Sequence, residues 1–531
     1  MAGISCLPRR ILTEILLIVL KPLEPNMANW KAMIQLLGVC QLWTQLMKRQ
    51  ILSRAFIHYD AYKYVRGAVC SGWQTNVSFI ADRNCCSLVR ALSIHIVGAT
   101  DVKSLLQELE GILQIYDINW SRVRSLTIYN KGPSPARNPE LDGNFKNRIK
   151  ILAQRISVKM PNVTTFCMYD STNIINQTAF PTILLDSYIR QLHWLSVSLY
   201  EPLKIPVFDA ELVQLHLVFS SHFTTKMRLP LIHSKTLRHL SLVNIPHNFS
   251  WRPFSQYWKP EDVYFESLEK IFADFIEDTG DGSCMLAVTP DQDHYVPKLY
   301  FQALRYLFIN HCPPACDLLS ASFAVPVLDK IALAGRPRNI EKYLGMGLES
   351  KAHQVEVYMQ SSADKPDFAR MANNLYSTPG DHSKRELHLH VAIDFLDVDA
   401  TSWTYLNFIA LNAKIDLDII LRLLARLPNL TRLWVECLGL SSMADSPDKV
   451  DRLVDQHLSA VPFELQLRFL RVFLPDADCD LSLTLAAIQS LATRMSQLWF
   501  FKVPPVLKDD VKHFIRSHCD QHLHFPDLLI L

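Results

Sequence analysis

Leu304-Arg305-Tyr306-Leu307-Phe308-Ile309-Asn310-His311-Cys312 is the stretch whose reading decides the fold. Its frame is an apolar residue, two residues, an apolar residue, one residue, and a third apolar residue. In a strand, Leu307 and Ile309 stand two apart and face the same side, and Phe308 faces the other. Working outward toward the N-terminus, the frame recurs at Val89/Leu92/Ile94, Val123/Leu126/Ile128, Val163/Phe166/Met168, Leu192/Leu195/Val197, Leu212/Leu215/Leu217, Leu237/Leu240/Leu242 and Leu268/Ile271. Toward the C-terminus it continues at Leu328/Ile331/Leu333, Val355/Val357, Leu387/Leu389, Leu430/Leu433/Val435, Leu467/Leu470/Val472 and Leu498/Phe500. These are about fourteen candidate strands, about 20–46 residues apart. The chain between them is long enough for the crossovers that parallel strands require.

Several crossovers carry helical spacing: Leu105/Leu109/Leu113, Ile149/Leu152/Ile156, Ile419/Leu423/Leu424/Leu427 and Leu483/Leu485/Ile488/Leu491. Strand and helix therefore alternate, as in α/β architectures. A stack of such units buries the paired apolar residues and leaves the intervening ones on the opposite, concave surface. Those intervening residues are Thr127, Cys167, Ser196, His216, Ser241, Phe308, Ala332, Glu356, His388, Trp434 and Arg471. The row mixes polar, aromatic and basic side chains, which suits a protein surface better than a polyanion. Lys131 to Asn144, Thr279 to Pro297, Ser361 to Lys384 and Ser441 to Asp451 read as long loops. Leu507 to His524, with Val511, Phe514 and Ile515 at helical spacing, reads as a capping helix over the last strand. An ordinary pair of α/β domains with parallel sheets is the competing expectation.

The composition is that of a folded chain. Of 531 residues, 49% are hydrophobic and 20% charged, and the net charge of +2 gives no bulk attraction to nucleic acid or membrane. The twelve cysteines follow no disulfide-framework spacing. Reduced thiols in a cytoplasmic or nuclear protein are the expectation. Arg9-Arg10 followed by Ile11 to Leu20 is not read as a signal peptide. Glu14 interrupts the run, Pro22 follows it, and it is shorter than the roughly 20 residues a bilayer needs.

The first fifty residues predict two helices. Pro8 suits a first helical position, and Ile11, Leu12, Ile15, Leu16, Val19 and Leu20 recur at helical spacing after it. Pro22 and Pro25 end that helix. A second runs from Trp30 through Met33, Ile34, Leu37, Cys40, Trp43 and Leu46, with Leu36, Val39 and Leu42 off its main stripe. Two short helices hold more apolar surface here than they can hide against each other. That surface meets either the following domain, as a cap, or a separate partner.

These residues resemble the F-box pattern. It has a Leu-Pro opening (Leu7-Pro8), an Ile/Leu helix (Ile11, Leu12, Ile15, Leu16) and a Val-Cys-x-x-Trp helix (Val39, Cys40, Trp43). The resemblance covers roughly residues 5–50. Arg9 and Arg10 stand where an acidic residue often follows the Leu-Pro pair. The Leu304–Cys312 stretch is similar to the core of leucine-rich repeats, with Cys312 at the position usually held by Asn or Cys. In layout the chain resembles the fungal families of F-box proteins with irregular repeats. The resemblance implies an α/β protein: an F-box-like helical domain over residues 1–55, then an irregular leucine-rich-repeat-like solenoid with a parallel sheet over 56–531. It also implies docking of Leu7, Pro8, Ile11, Leu12, Ile15, Leu16, Leu37, Val39, Cys40 and Trp43 on the Skp-type adaptor of a cullin ubiquitin ligase. The solenoid would then hold an unknown protein target, in the ubiquitin-like conjugation pathway. A scaffold without a ligase connection is the alternative.

Enzyme signatures are not found: no G-x-x-x-x-G-K-[ST], no G-x-S-x-G and no H-E-x-x-H. Three possible metal ligands gather at His311-Cys312-x-x-x-Cys316, short of the four a structural zinc usually takes. His513, His518, Cys519, His522 and His524 are denser but read as a solvated helix end. The expectation is therefore no enzyme, no cofactor, no metal, no nucleic acid and no membrane.

Overall fold

The computed structural model describes residues 51–60, 73–97, 120–131, 143–171, 180–199, 211–219, 235–246, 263–276, 299–312, 322–323, 328–336, 339–340, 352–359, 386–391, 406–427, 429–439, 446–459, 469–472, 481–494 and 500–502, with single residues at 34, 35, 41, 44, 48, 109, 510 and 513. Two compact units divide the chain: Met1–Leu268 with Val288–Pro297, and Glu269–Ala287 with Lys298–Leu531. Each carries a parallel sheet whose strands follow one another in chain order, so the protein is α/β. Among the described residues no helix is long and apolar enough to cross a membrane.

The first unit begins its sheet with β1 (Arg54–Asp60), against which β2 (Trp73–Thr75) lies antiparallel. After the short helix α1 (Val77–Asp82) come β3 (Ala91–Val97), β4 (Ser125–Lys131), helix α2 (Gly143–Lys159) and β5 (Thr165–Asp170). Helix α3 (Phe180–Tyr188), β6 (Trp194–Leu199), β7 (Gln214–Phe219), β8 (His239–Ile245) and the short β9 (Val263–Phe265) follow. From β1 to β3, and then strand by strand to β8, every pairing is parallel.

The alternation seen in the sequence is the reason these segments are strands. In β3 and β4 the residues alternate between half-exposed and buried, and β7 repeats the pattern without a break. The buried rows are in register: Leu92, Leu126, Phe166, Leu195, Leu215 and Leu240, then Ile94, Ile128, Met168, Val197, Leu217 and Leu242. Helices α2 and α3 cover this side. Ile149, Leu152 and Ile156 of α2 and Leu184, Leu185 and Tyr188 of α3 are buried. The Tyr188 ring lies 6.2 Å from that of Phe166.

Several buried polar side chains of this unit are hydrogen-bonded across strands. Asn130, at the end of β4, donates from Nδ2 to Asp170 Oδ1 on β5 at 2.8 Å, and the Ser198 hydroxyl on β6 meets the Asp170 N–H at 2.9 Å. Asn76 is fully buried. Its Oδ1 accepts from the Phe56 N–H at 2.9 Å and its Nδ2 donates to the Arg54 carbonyl at 2.9 Å, which closes the outer side of β1.

The second unit contains β10 (Lys270–Phe275), β11 (Leu299–Phe301), β12 (Tyr306–Asn310), β13 (Ser322–Phe323), β14 (Leu328–Gly335) and β15 (Ala352–Met359). It continues with β16 (Glu386–Val391), β17 (Leu406–Asp416), helix α4 (Leu417–Leu424), β18 (Arg432–Gly439), helix α5 (Pro447–Leu458), β19 (Phe469–Val472), helix α6 (Leu481–Arg494) and β20 (Phe500–Lys502). The main sheet runs β10, β12, β14, then each strand in turn to β20, all parallel. Leu307 and Ile309 are buried as their frame requires, and so are Ile331, Leu333, Val355, Val357, Leu433 and Val435. At the end of β14 the chain passes close to Cys312. Gly335 has φ +155°, and a Cβ there would stand 2.8 Å from the Cys312 backbone nitrogen, so only glycine fits.

Each of the fourteen apolar frames coincides with or adjoins a strand. Two expectations change. Ser441 to Asp451 is a loop only in part, because α5 starts at Pro447. Ser446 takes the extended N-cap conformation and proline occupies the first turn, where its missing N–H costs nothing. β17 is an additional strand between those framed by Leu387/Leu389 and Leu430/Leu433/Val435. The F-box-like residues Leu7, Pro8, Ile11, Leu12, Ile15, Leu16, Leu37, Val39, Cys40 and Trp43 lie outside the described residues, as does most of Leu507 to His524.

Candidate recognition faces

The residues between the buried pairs line the side of each sheet opposite the core. In the first unit Ser93, Thr127, Cys167, Ser196, His216 and Ser241 stand in one row across six adjacent strands. The last five are the expected row, brought together in register and half-exposed. The row carries little charge at neutral pH. Burial pushes the Cys167 thiol up, against a hydrogen bond with Thr127 that lowers it. Burial likewise pulls His216 below the ordinary histidine range, and its Nδ1 lies 2.7 Å from the Ser241 hydroxyl.

One step along the strands, a second row is aromatic. His58, His95, Tyr129 and Tyr169 follow one another on β1, β3, β4 and β5. Successive ring centroids are 6.0, 5.5 and 5.0 Å apart, and the two tyrosines are stacked. Parallel strands in register set this spacing, because each ring sits on the neighbour of the strand below. Sequence reasoning passed over this row because it lies one position past the apolar frame.

In the second unit Phe308, Ala332, Glu356 and His388 are also in register, as expected. Phe272 extends the row at the other end, its ring stacked on Phe308 at 4.8 Å. Trp434 and Arg471 do not continue it. His388 pairs with Phe408 of β17, and Trp434 pairs with Ala410 and Arg471 one row on. The extra strand, with its register shift after Leu387, moves the frame by a step.

Glu356 is the centre of this face. Its residue is only 7% exposed although it lies on the side away from the core. Lys330 Nζ is 2.7 Å from Oε2, the Tyr358 hydroxyl donates to Oε2 at 3.0 Å, and Gln354 Nε2 donates to Oε1 at 2.9 Å. Three donors from two strands satisfy a carboxylate that burial would otherwise penalise. The Tyr358 ring stacks on His390 at 4.1 Å, and Phe408 and Trp434 carry the aromatic run onward at 5.4 and 4.9 Å. Glu356 thus fixes the first ring of a four-ring ledge.

Burial first, and then the charge and hydrogen bond of Glu356, push Tyr358 up from 10.0 to about 12. The neutral phenol is the form this site holds, so its contribution is intact below pH 10 and is lost as pH rises through about 12. Glu356→Gln should bring Tyr358 part of the way back toward 10.0, since the burial remains. A pH titration of the tyrosine ring resonances, with Tyr358→Phe to assign the signal, checks this. An unmoved ionisation would show that Glu356 does not act on the ring.

Of the metal-ligand candidates at 311–316, the described His311 and Cys312 turn to different partners. His311 Nδ1 lies 3.2 Å from Asp274 Oδ1 and 3.1 Å from the Phe275 carbonyl, whereas the buried Cys312 thiol meets the Ile309 carbonyl at 3.7 Å. Cys316, His518, Cys519, His522 and His524 lie outside the described residues. Among the described residues no group of three or more His, Cys, Asp or Glu side chains is placed to hold a metal ion.

Two faces can meet another molecule: a half-exposed, mostly uncharged one with a ring ladder, and one built on a buried, satisfied carboxylate where Phe308, Tyr358, His390 and Trp434 remain half-exposed beside buried Phe408. No protein-family model matches the sequence, and no curated protein is similar to it.

Proposed function

We propose that this chain is the substrate-recognition adaptor of a Skp–cullin–F-box type ubiquitin ligase. The first fifty residues dock on the Skp-type adaptor, and the strand faces of a leucine-rich-repeat-like solenoid hold a protein target. The observation that carries the binding half is the continuity of the accessible rows. Side chains of mixed polarity stand in register across neighbouring strands, with rings spaced at 5–6 Å, over a separate and mostly apolar core. Aromatic side chains present large contact area at little entropic cost, which is what protein interfaces select. The docking half is supported by Leu7-Pro8 followed by the Val39-Cys40-x-x-Trp43 helix. In this reading the chain does no bond chemistry. It raises the effective concentration of the target beside the catalytic subunit of the ligase.

Co-purification with a Skp-type adaptor tests the docking half. The wild-type chain should form a stable complex, and Leu7→Ala with Pro8→Ala should lose it by tenfold or more, on the order of the hot-spot losses seen at buried interface centres. Circular dichroism establishes that the variant remains folded. A folded wild-type chain that does not bind the adaptor would leave an interaction scaffold without a ligase connection.

A further inference from the structure

The apolar frame also positions the residue that directly follows its first member. In the first unit that residue is Arg90 after Val89 and Arg124 after Val123. Both backbones continue the sheet ladder: Arg90 N–H donates to the Ser53 carbonyl and Arg124 N–H to the Arg90 carbonyl, each at 2.7 Å. Arg54 stands beside them, paired with Ala91. Arg122 lies two residues ahead of Arg124, in the single helical turn Trp120–Arg122. All four arginines are exposed. They lie at the start of, or just ahead of, three adjacent strands, which span about 10 Å.

Local carbonyls hold three of the four guanidinium groups. Arg90 Nη1 donates to Ser87 O at 3.0 Å and Val89 O at 3.1 Å, Arg122 Nη1 to Ser87 O at 3.3 Å, and Arg124 Nη1 to Asn162 O at 3.0 Å. Among the described residues no carboxylate is within ion-pair distance of Arg54, Arg90, Arg122 or Arg124. Four like charges in so small an area repel one another. Their remaining N–H groups form the planar forks that match carboxylates.

We infer that this arginine cluster docks a short acidic segment of the protein target. The inference rests on the reading that the first unit holds a protein, and it names the chemistry of that protein at one end of the strands. The extent of the cluster favours a peptide over a nucleic acid. At the positions level with Arg90 and Arg124, β1 carries Ser53, with Arg54 one step on, and the strands beyond β4 carry Thr164, His193 and Val213 before arginine returns at Arg238; the basic run is thus interrupted after β4, and its length of about 10 Å is matched by about three residues of extended chain. Beside it lies the neutral row of Thr127 and Cys167, and beyond that the rings of Tyr129 and Tyr169. A carboxylate run followed by apolar residues complements that order. With a net charge of only +2, the chain has no wider field to draw in a polyanion.

The test is fluorescence anisotropy with the full-length chain and a labelled twelve-residue Asp/Glu peptide flanked by Leu and Phe. Its Asn/Gln analogue, a phosphoserine version and a single-stranded RNA of equal length are the comparison probes. The acidic peptide should bind at least tenfold tighter than the Asn/Gln analogue, and raising salt should weaken it. The triple variant Arg90→Gln, Arg122→Gln, Arg124→Gln should lose about tenfold and flatten the salt dependence. Arg190→Gln, an exposed arginine outside the cluster, should leave binding unchanged. Equal binding by wild type and triple variant, or no preference over the Asn/Gln analogue, overturns the inference. So does tighter binding of the RNA or of the phosphoserine peptide. The adaptor experiment is independent: a chain that binds the adaptor and ignores the acidic peptide loses this inference alone, and the reverse result loses only the ligase assignment.

Discussion

Phe166→Ala should destabilise the first unit by about 3–5 kcal/mol, the range found for large aromatic deletions in packed cores. Phe166 is fully buried between Leu126 and Leu195 in the same cross-strand row, with Tyr188 of α3 against its ring. Strands on both sides and a helix above surround the vacated volume, so none of them can close it alone. The loss falls on three neighbours at once, because in a stacked architecture each strand is stabilised chiefly by the next. Denaturant unfolding followed by circular dichroism would show a shifted midpoint with little change in slope if the unit still unfolds as a whole. A midpoint within error of wild type would mean that Phe166 does not sit in a closed core.

Asn76→Ala should cost about 2–4 kcal/mol, through hydrogen bonding instead of volume. The side chain satisfies the Phe56 N–H and the Arg54 carbonyl from a fully buried position. Alanine supplies neither donor nor acceptor. Thr75 bonds the Phe56 carbonyl through its hydroxyl at 2.7 Å and remains in place. The damage should therefore concentrate at β1, as faster amide exchange of Phe56 in the variant than in wild type. Unchanged exchange at that amide would contradict the bridging role.

The strands were legible because burial on one side leaves a mark of period two. Leu304, Leu307 and Ile309 are apolar for the same physical reason that Leu92, Ile94 and Ile96 are, and all six are buried. The row from Thr127 to Ser241 followed directly, since a parallel register carries one strand's geometry to the next. β17 was not legible. Its sequence, Leu406-Asn-Phe408-Ile409-Ala410-Leu411, places apolar residues on both sides, and Phe408 and Ala410 are buried on the side where the frame expects exposure. That strand displaced Trp434 from the expected row. Asn76, Asn130 and Asp170 were missed for a different reason. A polar residue at a strand end has the composition of a turn, and only its partner reveals that it is buried. The arginine rim left a sequence signal, the repeated Val-Arg pair at 89–90 and 123–124, that pattern searches for core residues ignore.

The distance along the chain between paired strands varies widely in this protein. Ser196 and His216 are partners 20 residues apart, and Thr127 and Cys167 are partners 40 residues apart. The entropy of closing a loop grows only with the logarithm of its length, so this doubling costs about 0.6 kcal/mol. Uneven repeat length is therefore thermodynamically cheap here. Excursions between strands can lengthen or shrink over a twofold range while the ladder keeps its alignment, which leaves their content free to vary without endangering the framework that displays them.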